Sequence, residues 1–389
     1  MFRKKAHCLA RVIVSCALVN VAVIIIFYMW VLASQHPTLQ QRDHHVIHHH
    51  APNLGEQRNG SPNKSSPEVP KKPPGTFNAS LVVKPQIIND QQPVLPPVPA
   101  FSKDDFVPPL NDAILKEYQK YSPREARETI VILTPIHNVA GTLQSTYLHL
   151  LQSINYPHRL ISVAFGEDGS SDHTLPVAEE VAEELRKSFS SVDVFHFNLT
   201  GQIEGSWSVI HERENQYKRR QHLAQSRNLL LKAGLKNQDW VLWIDADVTY
   251  FPPDVIQQLL SAQKDVVTPA CLFEDSGAKN LKRVYDKNTW RETSFSLDHL
   301  KRLSPQDLVL EGYADTQRLW LTDLRAEGKI VPIDGVGGCM LLVKGDCHRQ
   351  GLIFPETVFQ HHIETEGLAK LAKSMGYGVF GMPFVEVLH

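Results

Sequence analysis

The sequence predicts an α/β protein built on a mostly parallel central sheet. Three observations predict it. Strand-patterned and helix-patterned segments alternate through the first half of residues 110–389. One strand, Trp240-Val-Leu-Trp-Ile244, is apolar throughout, as a strand covered on both faces has to be. It stops abruptly in Asp245-Ala-Asp247, at the carboxyl end where open α/β sheets bind ligands.

The elements follow in order. Residues 129–134 read as a first strand ending at Pro135, followed by a helix over 143–151. Residues 160–166 form the second strand and 175–189 an amphipathic helix with glutamates near its start. A third strand spans 192–197, and a helix spans 221–235, closed by Gly234 and Asn237. After the strand 240–244, Phe251-Pro-Pro-Asp254 reads as a helix start with proline at an early position, leading into a helix over 255–263. A short strand at 265–269 precedes a less periodic stretch, 272–330. A strand at 338–344, a helix at 363–375 and a strand at 377–382 complete the domain. No internal repeat is present.

The rest of the chain sets where such a domain works. Residues 12–33 carry no charged side chain and are long enough to span a bilayer. Arg3, Lys4, Lys5 and Arg11 precede them, so the positive-inside bias leaves residues 1–11 cytoplasmic and everything after Ala33 lumenal. The apolar run exceeds the roughly 7–15 residues of a cleaved signal peptide, which predicts a single-pass type II anchor. Residues 34–109 hold more than half of the chain's 25 prolines and read as a disordered stalk. The stalk histidines 44, 45, 48, 49 and 50 read as a solvated stretch, with weak metal binding or pH response as the alternative. Asn63, Asn78 and Asn198 open glycosylation sequons. A net charge of −2 points to no polyanionic partner, nucleic acid included. Cys271, Cys339 and Cys347 lack zinc spacing, and the sequence leaves their pairing open.

The chemistry-bearing residues cluster at strand ends. Strand alternation sends Asp245 and Asp247 to the same side. Two carboxylates that close repel unless a cation or donors separate them, so the pair suits a metal that holds a nucleotide diphosphate. The competing explanation is a polar turn capping the next helix. Glu167-Asp-Gly-Ser-Ser-Asp-His-Thr174 follows the second strand with carboxylates and hydroxyls suited both to capping and to a nucleotide. Arg227, in Gln225-Ser-Arg-Asn228, is the expected clamp on a diphosphate, and Lys218-Arg-Arg220 reads equally as a solvated basic face. Asp334-Gly-Val-Gly-Gly338 offers either a close backbone approach to a ligand or only a bulge, with Asp334 a candidate for an acceptor hydroxyl. Glu364 and Glu366, in His361-His-Ile-Glu-Thr-Glu-Gly367, are candidate active-site carboxylates or helix-start acids. That run lacks the His-Glu-x-x-His spacing of zinc proteases. His389 follows a late strand.

The loop Asp168-Gly-Ser-Ser-Asp-His-Thr174 resembles the second-strand motif of nucleotide-sugar transferases of the GT-A fold, in which the first Asp contacts the base. Further segments extend the likeness. They are Ile132-Leu-Thr-Pro135, Asn155-Tyr-Pro-His158, Ser226-Arg-Asn228, Trp240 to Asp247 with Phe251-Pro-Pro-Asp254, 334–344, 361–373 and Met375-Gly-Tyr-Gly378. Together they resemble the fungal Golgi mannan polymerase subunit family, glycosyltransferase family 62, in order over most of 129–389. The resemblance implies a GT-A fold after a transmembrane helix, GDP-mannose as donor, Mn2+ as metal and α-1,6 mannosyl transfer. It further implies mannan or N-glycan outer chains as acceptor, and a hetero-oligomeric Golgi complex. By position it makes Asp245 and Asp247 the donor and metal motif, with Asp247 the expected direct ligand, and His389 a third ligand. Asp168, Thr134, Pro135 and Arg227 fall to the donor, and Asp334, Glu364 and Glu366 to the catalytic centre. Two departures stand out: the histidine-bearing stalk is no part of the family pattern, and a short tail is expected beyond His389. The expected function is retaining, Mn2+-dependent mannosyl transfer. The alternatives are a non-catalytic scaffold or anchoring subunit and a transferase for another sugar nucleotide.

Overall fold

The computed structural model describes residues 106–107, 116 and 126–389, apart from 200, 204, 275–280 and 313. The chain divides into two units, Met1–Ile87 and Ile88–His389, and every described residue belongs to the second. The expected anchor at 12–33, the stalk up to residue 105 and the sequons at Asn63 and Asn78 lie outside the described residues. Among the described residues no helix is long and apolar enough to cross a membrane.

Twelve strands are described: β1 (Phe106–Val107), β2 (Ile130–Ile136), β3 (Ile161–Asp168), β4 (Ser191–Phe197), β5 (Trp240–Ile244), β6 (Val266–Glu274), β7 (Lys282–Val284), β8 (Trp290–Arg291), β9 (Leu319–Trp320), β10 (Val331–Pro332), β11 (Met340–Lys344) and β12 (Val379–Leu388). The main sheet runs β1-β7-β6-β11-β5-β2-β3-β4, with β12 on β6 and β10 on β12. Its centre, β5-β2-β3-β4, is parallel throughout. β11 lies antiparallel to both β5 and β6, and so opens a mixed wing. β8 and β9 form a separate two-stranded sheet inside the stretch of weak periodicity.

Alternation along the strands builds two cores. Ile130, Ile132, Leu242 and Ile244 face one side of the sheet; Val131, Leu133, Val241 and Trp243 face the other. The first side is covered by α1 (residues 140–152, with a π turn at Leu143–Tyr147), α2 (Thr174–Leu185) and α4 (Val255–Ser261). The second is covered by α3 (Arg213–Gly234) and α5 (Glu364–Ser374). The chain thus runs β2, β3, β4 outward with helices on one face. It then returns through α3 on the opposite face to lay β5 on the far side of β2. That reversal is a topological switch point, and it opens a crevice between the carboxyl ends of β2 and β5.

Several elements depart from expectation for physical reasons. β2 continues through Pro135 to Ile136, because beyond the Leu133↔Trp243 pair it keeps only β3 as a neighbour, and a strand paired on one side tolerates proline. α3 begins at Arg213, two turns before the expected start at 221. α4 starts at Val255 with Asp254 at its N-cap position, so both prolines precede the helix rather than open it. β12 runs to Leu388 through a register shift between Met382 and Glu386, which carries His389 to the sheet's ligand end. Val107, expected in the stalk, is instead buried and its strand pairs with β7.

The glycines of Asp334-Gly-Val-Gly-Gly338 are explained by close approach. A Cβ on Gly337 would lie 1.4 Å from an Asp286 carboxylate oxygen, and one on Gly338 would lie 2.4 Å from Arg227 Nη2. Protein side chains, rather than a ligand or a bulge, account for both. Gly337→Ala is expected to cost about 2–3 kcal/mol in chemical denaturation, as overpacking does. The cost should be non-additive with Asp286→Ala. A melt within about 0.5 kcal/mol of the parent, or strict additivity, would refute the steric account.

Candidate active site

The crevice is a cleft of about 370 Å³. Pro135 and Ile136 from β2, Asp168 from β3 and the turn Asp245-Ala246-Asp247 after β5 form its floor. Arg219, His222, Ser226 and Arg227 of α3 form a wall, spaced at i, i+3, i+7 and i+8 on one face of the helix. Both aspartates of the turn line the cleft, while Ala246 between them is buried.

Each carboxylate has a different environment. Asp245 accepts from Arg227 Nη2 at 2.8 Å, and its backbone N–H donates to the Cys339 carbonyl at 3.1 Å. Burial pushes the Asp245 carboxyl up to about 6, against the opposing pull of Arg227 and with help from the neighbouring Asp247 and Glu364 charges. Burial also pushes on Asp247, but the His389 ring, 2.9 Å away, holds that carboxyl below its ordinary value. His389 in turn stacks on Tyr285, with centroids 3.6 Å apart.

Arg227 is the hub of this end. It is only 4% exposed, and its Nε donates to Glu364 at 3.1 Å. Its guanidinium lies 5.7 Å from the Trp243 ring centroid and 5.6 Å from that of Phe354. Among the described residues Nη1 has no hydrogen-bond partner, and the residue borders the cleft. A buried cationic donor left over beside a cleft is suited to an anionic ligand. Glu364 holds a left-handed backbone, φ 56°, at the start of α5, and such strain in a non-glycine residue persists only where its surroundings enforce it.

The other end of the cleft belongs to the loop after β3. Asp168 is buried, and its carboxylate meets His222 Nε2 at 2.6 Å. Its carbonyl accepts from Gln202 Nε2 at 2.6 Å, and His137 Nδ1 lies 2.8 Å from the same oxygen. Asp172 accepts from the Thr174 N–H, and Asn138 Oδ1 accepts from the Ser171 N–H, so capping and loop order go together. Thr134 is fully buried and bonds the Tyr147 hydroxyl, while Pro135 beside it lines the cleft.

None of the three carboxylates expected at the catalytic centre outside the turn lines the cleft: Glu364 is taken up by Arg227, and the other two have partners of their own. Glu366 is fully buried and accepts from Arg220 Nη1 at 2.8 Å and Trp290 Nε1 at 2.9 Å; burial raises it to about 7 against those partners. Asp334 pairs with Lys373 and accepts from the Glu292 N–H. Neither borders the cleft. The sequence reading missed His137, Gln202, His222 and Tyr285. His222 was legible from its i, i+4 and i+5 spacing to Ser226 and Arg227; Tyr285 carries no local signal. Cys271 and Cys339 form a disulfide, and Cys347 is a buried free thiol.

Among the described residues no group of three or more His, Cys, Asp or Glu side chains is gathered ready to hold a metal ion. The donor types at Asp247 and His389 nonetheless suit one: a carboxylate oxygen that lines the cleft and an imidazole nitrogen 2.9 Å from it. Asp245 is already committed to Arg227.

Comparison with known proteins gives consistent relatives. The Anp1 family model matches residues 112–358. The mannan polymerase complex subunit mnn9 of Schizosaccharomyces pombe is 34% identical over 286 residues, 69% of this chain and 81% of that protein. The mannan polymerase II complex anp1 subunit of the same yeast is 31% identical, over 69% of this chain and 65% of its own length. The mannan polymerase I complex VAN1 subunit of Saccharomyces cerevisiae is 30% identical over 68% of this chain and 61% of its own length. This chain therefore spans less than two thirds of the latter two. Among solved structures, a mannosyltransferase from Pyrobaculum calidifontis in complex with GDP-Man and Mn2+ aligns with TM-score 0.40 and 15% identity, over 71% of this chain and 62% of that one. Likeness at that level carries no weight for function.

The raised Asp245 carboxyl has a pH consequence. A carboxyl whose folded value exceeds its unfolded one keeps its proton to higher pH when folded. Its contribution to stability is complete below the ordinary value of 3.8 and is lost as pH rises through about 6. The cleft's second negative charge appears over the same interval. Asp245 in a carboxyl 13C NMR titration is expected to show a midpoint near 6, displaced upward in Arg227→Ala. A midpoint at or below the ordinary value would contradict the assigned environment.

Proposed function

The chain belongs to the Anp1 family, and from that premise we propose that it is a mannosyltransferase subunit of a mannan polymerase complex. In this reading GDP-mannose is the donor, Mn2+ the metal, and mannan or N-glycan outer chains the acceptor, joined by α-1,6 linkage with retention. The reading places the enzyme in the Golgi, as a type II membrane protein with a lumenal domain. The observation that carries it is a cleft with a buried Asp168–His222 pair at one end and Asp245, Asp247 and Arg227 at the other. A nucleotide bound there would run from the Asp168 loop toward the carboxylate turn, across the switch point of the sheet.

The roles follow from the partners. Asp247 and His389 would hold the cation, and a cation bound there neutralises diphosphate charge and eases departure of the nucleotide. Arg227 holds Asp245 and keeps its charge at the phosphate end, with Nη1 left unpartnered among the described residues. Glu364 holds Arg227 from behind. Asp168 fixes the His222 ring beside the expected base. Retention needs same-face attack or a covalent intermediate, and the cleft singles out no nucleophile. A second reading, a non-catalytic scaffold, has one observation in its favour: both carboxylates of the turn already have cationic or imidazole partners within the protein.

Two experiments separate these. The isolated domain should bind GDP-mannose in a Mn2+-dependent way and transfer mannose to α-mannobiose; binding without transfer to any acceptor would favour the scaffold. Asp247→Ala should abolish transfer while leaving the thermal melt close to the parent, and unchanged turnover would sink the assignment. A competition panel of nucleotide sugars exposes any other donor.

A further inference from the structure

The cleft's metal end is closed into a ring by a feature that its chemistry does not itself require. β6 and β11 share only the pairs Leu342↔Val267 and Val343↔Val266. β12 flanks β6 from Val266 onward, and beyond Val267 no β11 ladder continues; the Thr268 hydroxyl donates to the Met340 carbonyl at 2.9 Å, and the residues after it have no β11 pair. The Cys271–Cys339 disulfide adds a covalent connection there, beyond that hydrogen bond on each segment. Each half-cystine also holds a site segment through its carbonyl. Cys339 accepts the Asp245 N–H at 3.1 Å, and Cys271 accepts the Tyr285 N–H at 3.1 Å and the Asp286 N–H at 3.3 Å. Tyr285 stacks on His389, whose ring reaches Asp247 and whose N–H donates to the Leu272 carbonyl at 2.9 Å.

We propose that the Cys271–Cys339 disulfide and the Tyr285 ring are positioning elements that set His389 against the Asp245-Ala-Asp247 turn. The inference rests on the reading of Asp247 and His389 as cation ligands. The closed path runs Asp245, Cys339, Cys271, Tyr285, His389, Asp247. Only two ties in it are replaceable without touching a ligand, the disulfide and the stack. The Thr249 and Tyr250 main chain also bonds Leu388, so the end of β12 stays attached when either is lost; what loosens is the orientation of the imidazole. Tyr285 is 43% exposed, so replacing it removes the stack without opening a core. The two sulfurs are buried, so substitution rather than a soluble reductant is the means of removing the bridge.

The test measures binding of Mn2+ alone, by electron paramagnetic resonance, in the full chain and its variants, alongside KM and kcat. Tyr285→Leu and the double variant Cys271→Ser/Cys339→Ser should each weaken Mn2+ binding about tenfold or more, as loss of groups that orient a ligand does. Tyr285→Phe keeps the ring and should bind like the parent. At saturating Mn2+ the kcat of the variants should return to within a few-fold of the parent. A Tyr285→Leu protein with parental affinity overturns the proposal, and a folded double-cysteine variant with parental affinity overturns the disulfide's part. If the double variant does not fold, the Tyr285 pair alone decides. Asp247→Ala distinguishes the layers: if it binds Mn2+ like the parent, the reading of the site fails and this inference with it. If it loses Mn2+ while Tyr285→Leu does not, only this inference fails.

Discussion

The buried Arg227 guanidinium is the interaction on which the rest of the site depends. It joins three parts of the chain that are far apart in sequence: α3, the turn after β5 and the start of α5. A charge with 4% exposure is tolerable only when paired, and removing a partner of such a pair typically costs about 3–5 kcal/mol. Asp245 and Glu364 supply that pairing. Their demand reaches the backbone: Glu364 accepts a left-handed conformation, and residue 338 must be glycine to leave room for Nη2. The same contact decides what the carboxylate turn can do. It commits Asp245 to the protein and leaves Asp247 beside His389.

A second polar layer lies behind this one. Trp290 donates to Glu366, which also accepts from Arg220. Arg318 sits 3.6 Å from the Trp290 ring centroid and binds both Glu292 and Glu311. Burial opposes ionisation of Glu292, yet Arg318 and Lys370 hold it down to about 2. These charges pair with one another, with only Arg220 Nε left without a hydrogen-bond partner among the described residues, and they stay out of the cleft. They fix α5 and the less periodic stretch against each other, which keeps Glu364 where Arg227 needs it. Hydrophobic packing could have supplied adhesion there; the paired charges add directional contacts that admit one arrangement.

The parallel centre of the sheet was legible because its signals are local. Val241, Leu242, Trp243 and Ile244 are apolar in succession, and the helices flanking the strands keep a regular period. The Asp245-Ala-Asp247 turn and the Asp168 loop were legible for the same reason, since each follows directly on a strand. Glu366 and Asp334 show the limit. Their residue types suit catalysis, but type does not reveal that Arg220 and Lys373 reach them from elsewhere. Tyr285 shows the converse, a residue with no local mark that matters because it lies against His389.

By itself, then, the sequence determined the alternation of strands and helices, the place where the central strand ends in acid, and the family pattern around it. These depend on neighbours within a few residues, where covalent geometry and hydrophobic period act directly. Only the tertiary structure decided that Arg227 takes Asp245, that Cys271 pairs with Cys339, and that the last strand brings His389 onto Asp247. Each of those is a contact between segments far apart along the chain. It arises from the switch in strand order and the register shift in β12, and no short stretch of residues encodes either one.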